Sequence, residues 1–311
     1  MPDAYRKPQA LRPGDRVAIV APASPFAREE LDGGVAELAR LGFEPVYDES
    51  VFAREMYVAG PASVRAAAVQ RAWMDPSISA IFAVRGGYGS AQLLPLLERA
   101  TFETSPKAFV AYSDNTALMS WLTQTCQVVT FHGPMLERRL SRGERAYDLD
   151  TLTRCLMRPV AAGLITHEHV EVLRPGSATG VLLGGTLTQI TASLGTPFAF
   201  APPRGHVLFI DETGERPYRI DRMFTQLRQA GIVDRAAAIV FNELPGCEEP
   251  NGVPSIRDVV AMLTRDFPGP VLFGLPSGHT PGATLTIPFG VKVTVETGGE
   301  PGLIIEEAAV V

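Results

Sequence analysis

The chain has 311 residues and a mass of 33.4 kDa, enough for one large α/β domain or two ordinary ones and for a substantial core without disulfide staples. Its 28 basic and 34 acidic residues give a formal charge of −6, which disfavours nucleic acid as a partner because phosphate binding requires a concentrated basic surface. The three cysteines are far apart and form no Cys-x-x-Cys pair, so we expect a reducing compartment.

The first fifteen residues contain basic residues and prolines but no apolar run, which is not typical of a secretion signal. No later segment approaches the roughly 20 apolar residues of a membrane span. We therefore expect a soluble, cytoplasmic protein with no membrane partner.

From residue 15 onward, short apolar runs alternate with stretches of helical period. Strands are predicted at 17–20, 78–84 and 108–112, and helices at 31–41, 61–74 and 91–99. This alternation predicts a parallel sheet covered by helices. A charged segment then leads to Arg158-Pro159, so we place a domain boundary near residue 160, with residues 1–160 forming an α/β domain.

The second half is less regular and predicts a mixed β/α domain over residues 161–311. Its clearest helix spans 217–230, because Pro217 suits the first helical position and Gly231 provides a C-terminal stop. Strands are predicted at 170–173, 180–183, 207–211, 237–241, 271–274, 285–287 and 291–295.

Ser113 lies where an apolar strand stops and an amphipathic helix follows at once. A serine at such an elbow projects its hydroxyl beyond the carboxyl edge of the sheet, near the free N–H groups of the next helix. Serine and aspartate are also favoured helix caps, and the Gly-x-Ser-x-Gly spacing of α/β-hydrolases is absent. This segment alone is therefore compatible with either a nucleophile or an ordinary cap.

Residues 85–90, Arg-Gly-Gly-Tyr-Gly-Ser, form a glycine loop after another predicted buried strand. Glycines let backbone N–H groups approach a ligand closely, so the loop could cradle a phosphate or an oxyanion, or it could be a plain tight turn. Its spacing matches neither a dinucleotide-binding fingerprint nor a P-loop.

Carboxylates and a histidine follow two strands of the second half. Asp211 and Glu212 end the strand at 207–211, and adjacent strand residues face opposite ways, so both cannot enter one site if the strand persists. A solvated acidic turn is the alternative. His279 lies in a loop after the strand at 271–274. Together with Ser113 these residues form a serine–acid–histidine order at strand ends, where open α/β sheets bind ligands.

Six segments occur in a familiar order: 84–89, 112–114, 130–135, 184–187, 217–222 and 278–279. From about residue 11 to residue 295 the chain resembles the LD-carboxypeptidase family of serine peptidases, which includes the microcin C immunity peptidases. The resemblance implies a flavodoxin-like or amidotransferase-like N-terminal domain and a swivelling β/α C-terminal domain, with a Ser-Glu-His triad between them. It also implies a cytoplasmic homodimer that removes the terminal D-alanine from murein tetrapeptides during cell-wall recycling.

Carried over by motif, the nucleophile is Ser113 and the base is His279. The family usually has Glu-Asp where this chain has Asp211-Glu212. Strict alignment makes Asp211 the triad acid, which we favour because the spacing to 218–222 is unchanged, whereas a small register shift would present Glu212 instead.

The remaining site predictions concern the substrate. The backbone N–H groups of Gly87 and Asp114 would hold the oxyanion, and Arg85 would bind the free carboxylate of the substrate. Further candidate substrate contacts are Gly86, Tyr88, His132 and Gly185, although His132 is equally well explained as part of a structural turn. This chemistry requires no cofactor and no metal.

Two other functions are compatible with the sequence. One is an immunity-type peptidase that cleaves peptidyl or aminoacyl-nucleotide conjugates by the same chemistry. The other is a non-catalytic protein that binds a small ligand, with Ser113 merely capping its helix.

Overall fold

The computed structural model describes residues 5–311. Residues 1–4, which belong to the predicted first domain and to the segment searched for a secretion signal, lie outside the described residues. None of the helices within residues 5–311 combines the length and the apolar composition needed to cross a bilayer.

Strands and helices alternate along most of the chain. The strands are β1 (Arg16–Val20), β2 (Glu44–Val46), β3 (Ile78–Ala83), β4 (Ala108–Ala111), β5 (Thr130–His132), β6 (Gly163–Ile165), β7 (Glu171–Arg174), β8 (Ser177–Thr186), β9 (Val207–Asp211), β10 (Ala238–Asn242), β11 (Val271–Leu275), β12 (Ile287–Phe289), β13 (Lys292–Glu296) and β14 (Gly302–Ile305). The helices are α1 (Arg28–Arg40), α2 (Ala62–Met74), α3 (Arg99–Thr104), α4 (Thr116–Gln124), α5 (Leu149–Met157), α6 (Leu187–Ser193), α7 (Pro217–Gln229) and α8 (Ile256–Leu263).

The first sheet has the order β12-β5-β4-β3-β1-β2. Strands β1 to β5 are parallel, and β3 and β4 are almost wholly buried, as continuous apolar strands of a helix-covered parallel sheet should be. The α/β prediction for this half is confirmed. The antiparallel edge strand β12 comes from far along the chain and pairs with β5.

The second sheet has the order β6-β14-β13-β8-β9-β10-β11-β7. Its centre, β8 to β11, is parallel, while β7 and the β13–β14–β6 ladder are antiparallel. The prediction of a mixed β/α second half is confirmed. Parallel strands in both sheets bring several carboxyl ends, and the loops that follow them, to shared edges.

The sequence-based elements differ from the structure mainly where they are short. The helix predicted at 91–99 is wrong: residues Ser90–Leu96 form a 3₁₀ helix that contains Pro95, and proline removes an N–H that an α-helix needs. Strands β2, β5, β6 and β14 were not predicted, because three or four residues are too few to show a period.

One hydrophobic cluster joins the two halves. Apolar side chains of the first sheet, such as Phe131, pack in one core with Phe209 of β9 and Val293 of β13. A second cluster lies between α6, α7, α8 and the other face of the second sheet. The boundary near residue 160 stays a prediction, but β12 shows that a segment beyond it contributes a strand to the first sheet.

Candidate active site

Ser113 follows β4 and has φ +65°. Positive φ is uncommon and costly for a residue with a side chain, and here it is held by contacts on both sides. Asn115 donates from Nδ2 to the carbonyl of Arg85 (3.0 Å) and to that of Tyr112 (3.4 Å). This sharp turn leads through the 3₁₀ segment Ser113–Asn115 into α4 and matches the predicted elbow.

Ser113, His279 and Asp211 come together although they are far apart in the sequence. His279 Nε2 lies 3.1 Å from Ser113 Oγ, and His279 Nδ1 lies 2.7 Å from Asp211 Oδ2. A carboxylate accepts hydrogen bonds, so the contact with Asp211 places a proton on Nδ1 and leaves the lone pair of Nε2 facing the serine hydroxyl. The arrangement can remove the serine proton and return it to a leaving group.

Asp211 is fully buried and its oxygens are well satisfied. Thr186 Oγ1 donates to Oδ2 (3.0 Å), the backbone N–H of His279 donates to Oδ1 (3.1 Å), and Asn242 Nδ2 also donates to Oδ1. Burial by itself would raise the pKa of Asp211, but the imidazoles of His279 and His132 hold that pKa well below its ordinary value. The group is therefore a fixed carboxylate at neutral pH.

The carboxylate of Asp211 raises the pKa of His279. Burial by itself would lower the pKa of the imidazole, but the charge of Asp211 and the hydrogen bond to it outweigh burial, so the pKa lies above its ordinary value. The ring also packs edge-on against Tyr112, with centroids 5.1 Å apart. These contacts fix both the plane and the tautomer of the imidazole.

Glu212 points elsewhere. Its Oε2 accepts from the backbone N–H and the hydroxyl of Thr188, at 2.8 and 2.6 Å, so it closes the first turn of α6 rather than contacting His279. Adjacent strand residues face opposite sides, and in this register Asp211 is the one that reaches His279. The register shift that would have presented Glu212 is not seen.

The glycine loop lies against the serine. A Cβ added at Gly86 would be 2.6 Å from Ser113 Cβ, 2.7 Å from its Oγ and 3.3 Å from the backbone N of Asp114. The missing side chain therefore leaves room beside both the hydroxyl and that N–H group. Gly87, with φ +102°, turns the loop close to Ser24, where a Cβ would collide.

Arg85 is engaged differently from the prediction. Its Nε lies 3.1 Å from Glu137 Oε2, and its Nη1 donates to the carbonyl of Pro25 at 3.0 Å. A substrate carboxylate would have to compete with an internal one for this guanidinium. Arg85, which is predicted to bind the free carboxylate of the substrate, is thus paired with Glu137.

Tyr88 does reach the surface. Its side chain is 49% exposed and stacks edge-on with the 60% exposed Tyr57, with ring centroids 5.4 Å apart. Ser24 joins the two segments, because its Oγ accepts from the N–H of Tyr88 and donates to the carbonyl of Tyr57, both at 3.0 Å. A substrate contact at Tyr88 remains a prediction.

His132 and Gly185 are both buried. His132 is fully buried, with Nδ1 2.9 Å from Ser277 Oγ and Nε2 3.7 Å from Asp211 Oδ2. It lies behind the acid, with its ring enclosed by protein. Gly185 packs on the helix after the nucleophile, where a Cβ would be 2.5 Å from Thr116 Cγ2. Substrate contacts at His132 and Gly185 stay predictions, and the burial of His132 favours the structural alternative for that residue.

Sequence reasoning missed Asn242 and Thr186. Each is the last residue of its strand, β10 and β8, and each donates to Asp211. The rule that selected Asp211, a polar residue at the carboxyl end of a predicted strand, could have selected Asn242. Thr186 gave no such signal, because the predicted strand ended at residue 183.

The chain is similar to known proteins over most of its length. Residues 17–133 match the LD-carboxypeptidase N-terminal domain, and residues 179–295 match the LD-carboxypeptidase C-terminal domain. A Streptomyces coelicolor protein named as a carboxypeptidase is 36% identical over 294 residues, which is 93% of each chain. The murein tetrapeptide carboxypeptidase of Pseudomonas aeruginosa is 30% identical over 283 residues, or 87% of this chain and 90% of the relative.

Two further proteins widen the comparison. The microcin C7 self-immunity protein MccF of Escherichia coli is 28% identical over 322 residues, 92% of each chain. The crystal structure of muramoyltetrapeptide carboxypeptidase from Oxalobacter formigenes superimposes with a TM-score of 0.82 at 26% identity, and covers 94% of this chain and 99% of that one. The chain therefore belongs to the LD-carboxypeptidase family and is a hydrolase of the carboxypeptidase class.

Proposed function

We propose that this protein is a serine carboxypeptidase that hydrolyses an L,D-amide bond and releases the terminal D-alanine of murein tetrapeptides. The observation that carries the proposal is the 3.1 Å contact between Ser113 Oγ and His279 Nε2 on a serine with φ +65°. A murein tetrapeptide carboxypeptidase at 30% identity supports the choice of substrate.

In the proposed reaction, Ser113 Oγ attacks the scissile carbonyl carbon while His279 Nε2 accepts the hydroxyl proton. Asp211 holds the imidazole in the required tautomer and stabilises its protonated form. The same proton then passes to the departing amine of D-alanine as the C–N bond breaks. Water, activated by His279 in turn, releases the acyl group from the serine.

The oxyanion of the tetrahedral intermediate would accept hydrogen bonds from the backbone N–H groups of Gly87 and Asp114. The space left by the absent side chain of Gly86, 2.7 Å from Ser113 Oγ and 3.3 Å from Asp114 N, supports this placement. Losing one such donor typically costs about 10²–10³ in rate. No step of this scheme requires a metal ion or a cofactor.

A second candidate function uses the same chemistry on a peptidyl or aminoacyl-nucleotide conjugate. The similarity to the microcin C7 self-immunity protein MccF over 92% of both chains favours including it. Membership of a peptidase family argues against the third alternative, a non-catalytic binding protein.

We also propose that the enzyme acts in the cytoplasm as a homodimer. The three cysteines are free and buried, which fits a reducing compartment. Sedimentation velocity that shows only a monomer would contradict the dimer.

The test is to measure D-alanine release from a murein tetrapeptide by the purified protein and by Ser113→Ala. We expect clear release by the wild type and a loss of at least about a thousandfold in the variant. Ser105→Ala, at an exposed serine, is the matched control and should keep full activity. Cleavage of an aminoacyl-nucleotide conjugate without tetrapeptide cleavage would select the second function, and equal activity of Ser113→Ala would refute both.

A further inference from the structure

Arg139 is a buried arginine, 8% exposed, whose guanidinium forms hydrogen bonds with the loop that carries His279. Its Nη2 donates to the carbonyls of Gly278 and Thr280, both at 2.8 Å, and its Nη1 donates to the carbonyl of Gly282 at 2.8 Å. The first two carbonyls belong to the residues immediately before and after His279. The planar fork of arginine suits this, because it presents several donors in a fixed geometry.

The residue comes from the other half of the molecule. Arg139 follows β5 of the first sheet, whereas the loop of residues 276–286, here called the histidine loop, follows β11 of the second sheet. The backbone supports the same junction: the N–H of Thr284 donates to the carbonyl of Ala146 (3.2 Å), and the N–H of Asp148 donates to the carbonyl of Thr284 (2.9 Å). The histidine loop is therefore tied to the half that contains Ser113.

Arg139 also brings a positive charge to a site dominated by negative ones. Within residues 5–311 its remaining hydrogen bonds go to the carbonyl of Ala146 and the hydroxyl of Tyr112, both at 3.4 Å, and none goes to a carboxylate. The titratable groups on the surrounding elements are Asp211 and Glu212 from β9 and the turn after it, Tyr112 after β4, His132 from β5, and Glu243 after β10, which accepts from the hydroxyl of Thr280.

From these contacts we infer that Arg139 is a positioning residue, which fixes the His279 imidazole against Ser113 across the junction of the two halves. The inference rests on the proposed function only in naming His279 as the base. The three 2.8 Å bonds hold the backbone on both sides of the imidazole, while the cation opposes the carboxylates in setting the pKa of His279.

Two effects separate this role from simple support of the fold. Loss of the fork should displace the imidazole and lower kcat with little change in KM, because the buried guanidinium bonds carbonyl and hydroxyl groups of the protein. Loss of the charge should raise the pKa of His279, since a neighbouring cation disfavours imidazolium. The acidic limb of the kcat/KM profile, which requires neutral His279, should then move to higher pH.

The experiment compares Arg139→Gln, which removes the charge, with Arg139→Lys, which keeps the charge but loses the fork. Arg154→Gln is the control for loss of an arginine that binds backbone carbonyls: Arg154 donates to the carbonyls of Ala162 (2.6 Å) and Leu164 (3.1 Å), away from the histidine loop and the glycine loop. Each variant is assayed for kcat and KM against pH. The His279 ring is also titrated by NMR with labelled histidine in a Ser113→Ala background, with His279→Gln used for assignment.

We expect Arg139→Lys to lower kcat by about ten- to a hundredfold with unchanged KM and an unchanged midpoint. Arg139→Gln should lower kcat and also raise the midpoint of both the rate profile and the NMR titration, while Arg154→Gln leaves the midpoint in place. The inference is overturned if Arg139→Gln has the midpoint of the wild type.

Two further outcomes have a defined reading: a variant that does not fold, and a wild type that is inactive. If Arg139→Gln does not fold, Arg139→Lys decides, because a wild-type kcat in that variant would refute the positioning role. If the wild type cleaves none of the peptides, the proposed function fails, but the NMR titration still shows whether Arg139 opposes protonation of His279.

Discussion

Asp211 illustrates how one carboxylate can be chosen over its neighbour by backbone geometry alone. Asp211 and Glu212 are adjacent, yet Asp211 contacts His279 at 2.7 Å while Glu212 contacts Thr188. A shorter side chain reaches the imidazole because β9 extends to residue 211 and delivers the carboxylate directly to the site. The shorter of the two adjacent carboxylates therefore contacts the imidazole.

Asp211→Asn should lower kcat by about 10³–10⁴-fold, since an amide no longer fixes the tautomer that leaves Nε2 free to accept a proton. Glu212→Gln should stay within about threefold of the wild type, because one oxygen can still accept from Thr188 and the group does not touch His279. Steady-state kinetics on the tetrapeptide decide. Comparable losses in the two variants would show that the acid is misassigned.

The pH profile follows from the raised pKa of His279. The base must be neutral to accept the serine proton, so kcat/KM should fall as pH drops through a midpoint above the ordinary imidazole value of about 6.5. Asp211 should not contribute to this limb, because its lowered pKa keeps it ionised throughout. A profile of kcat/KM from acid to neutral pH tests this, and a midpoint below the ordinary value would contradict it.

At the scale of elements, the loops after β3 and β4 act as a pair. The glycine loop follows β3, and Ser113 follows β4, which pairs with β3 in parallel. Because the two carboxyl ends lie side by side, Gly86 can pack on Ser113 without any long-range adjustment. The pair explains why a residue without a side chain is needed next to the elbow.

Gly86→Ala should lower kcat by at least about a hundredfold, because the added methyl group would lie 2.7 Å from Ser113 Oγ and fill the space beside Asp114 N. Gly298→Ala is the matched control, since its nearest neighbour would be the flexible carboxylate end of Glu296 at 3.3 Å, in the turn between β13 and β14. Kinetics and thermal melting of both variants are compared. Full activity in Gly86→Ala would place the oxyanion elsewhere.

On the scale of the whole molecule, the two halves are interleaved. Strand β12 follows the histidine loop and completes the first sheet beside β5, and one core contains side chains from both sheets. His279 is thus held from both halves: Arg139 of the first binds its loop, and Asp211 and Asn242 of the second bind its backbone.

A fragment ending at residue 160 should fail to form a cooperative fold. It would lack β12 and would expose the apolar surface that Phe209 and Val293 cover in the joint core. Near-UV circular dichroism and thermal melting of the fragment against the full chain measure this. A fragment with a sharp melting transition would instead support an independent domain ending near residue 160.

The sequence by itself determined the local features: buried parallel strands, the helix that begins at Pro217, the glycine loop and the serine elbow, all of which depend on residues close together in the chain. It also allowed an order of serine, acid and histidine. The tertiary structure decided what local pattern cannot: that Asp211 rather than Glu212 meets His279, that Glu137 engages Arg85, and that His132 lies behind the acid.

The physical reason is distance along the chain. The pairing of β12 with β5, the Asn242 bond to Asp211 and the Arg139 bonds to the histidine loop join residues 31 to 159 positions apart. No periodicity or turn signal encodes such pairings. They arise only when two sheets share one core and one edge. The surroundings of each buried group then set its pKa, because a carboxylate between two imidazoles has a lower pKa than the same carboxylate in water.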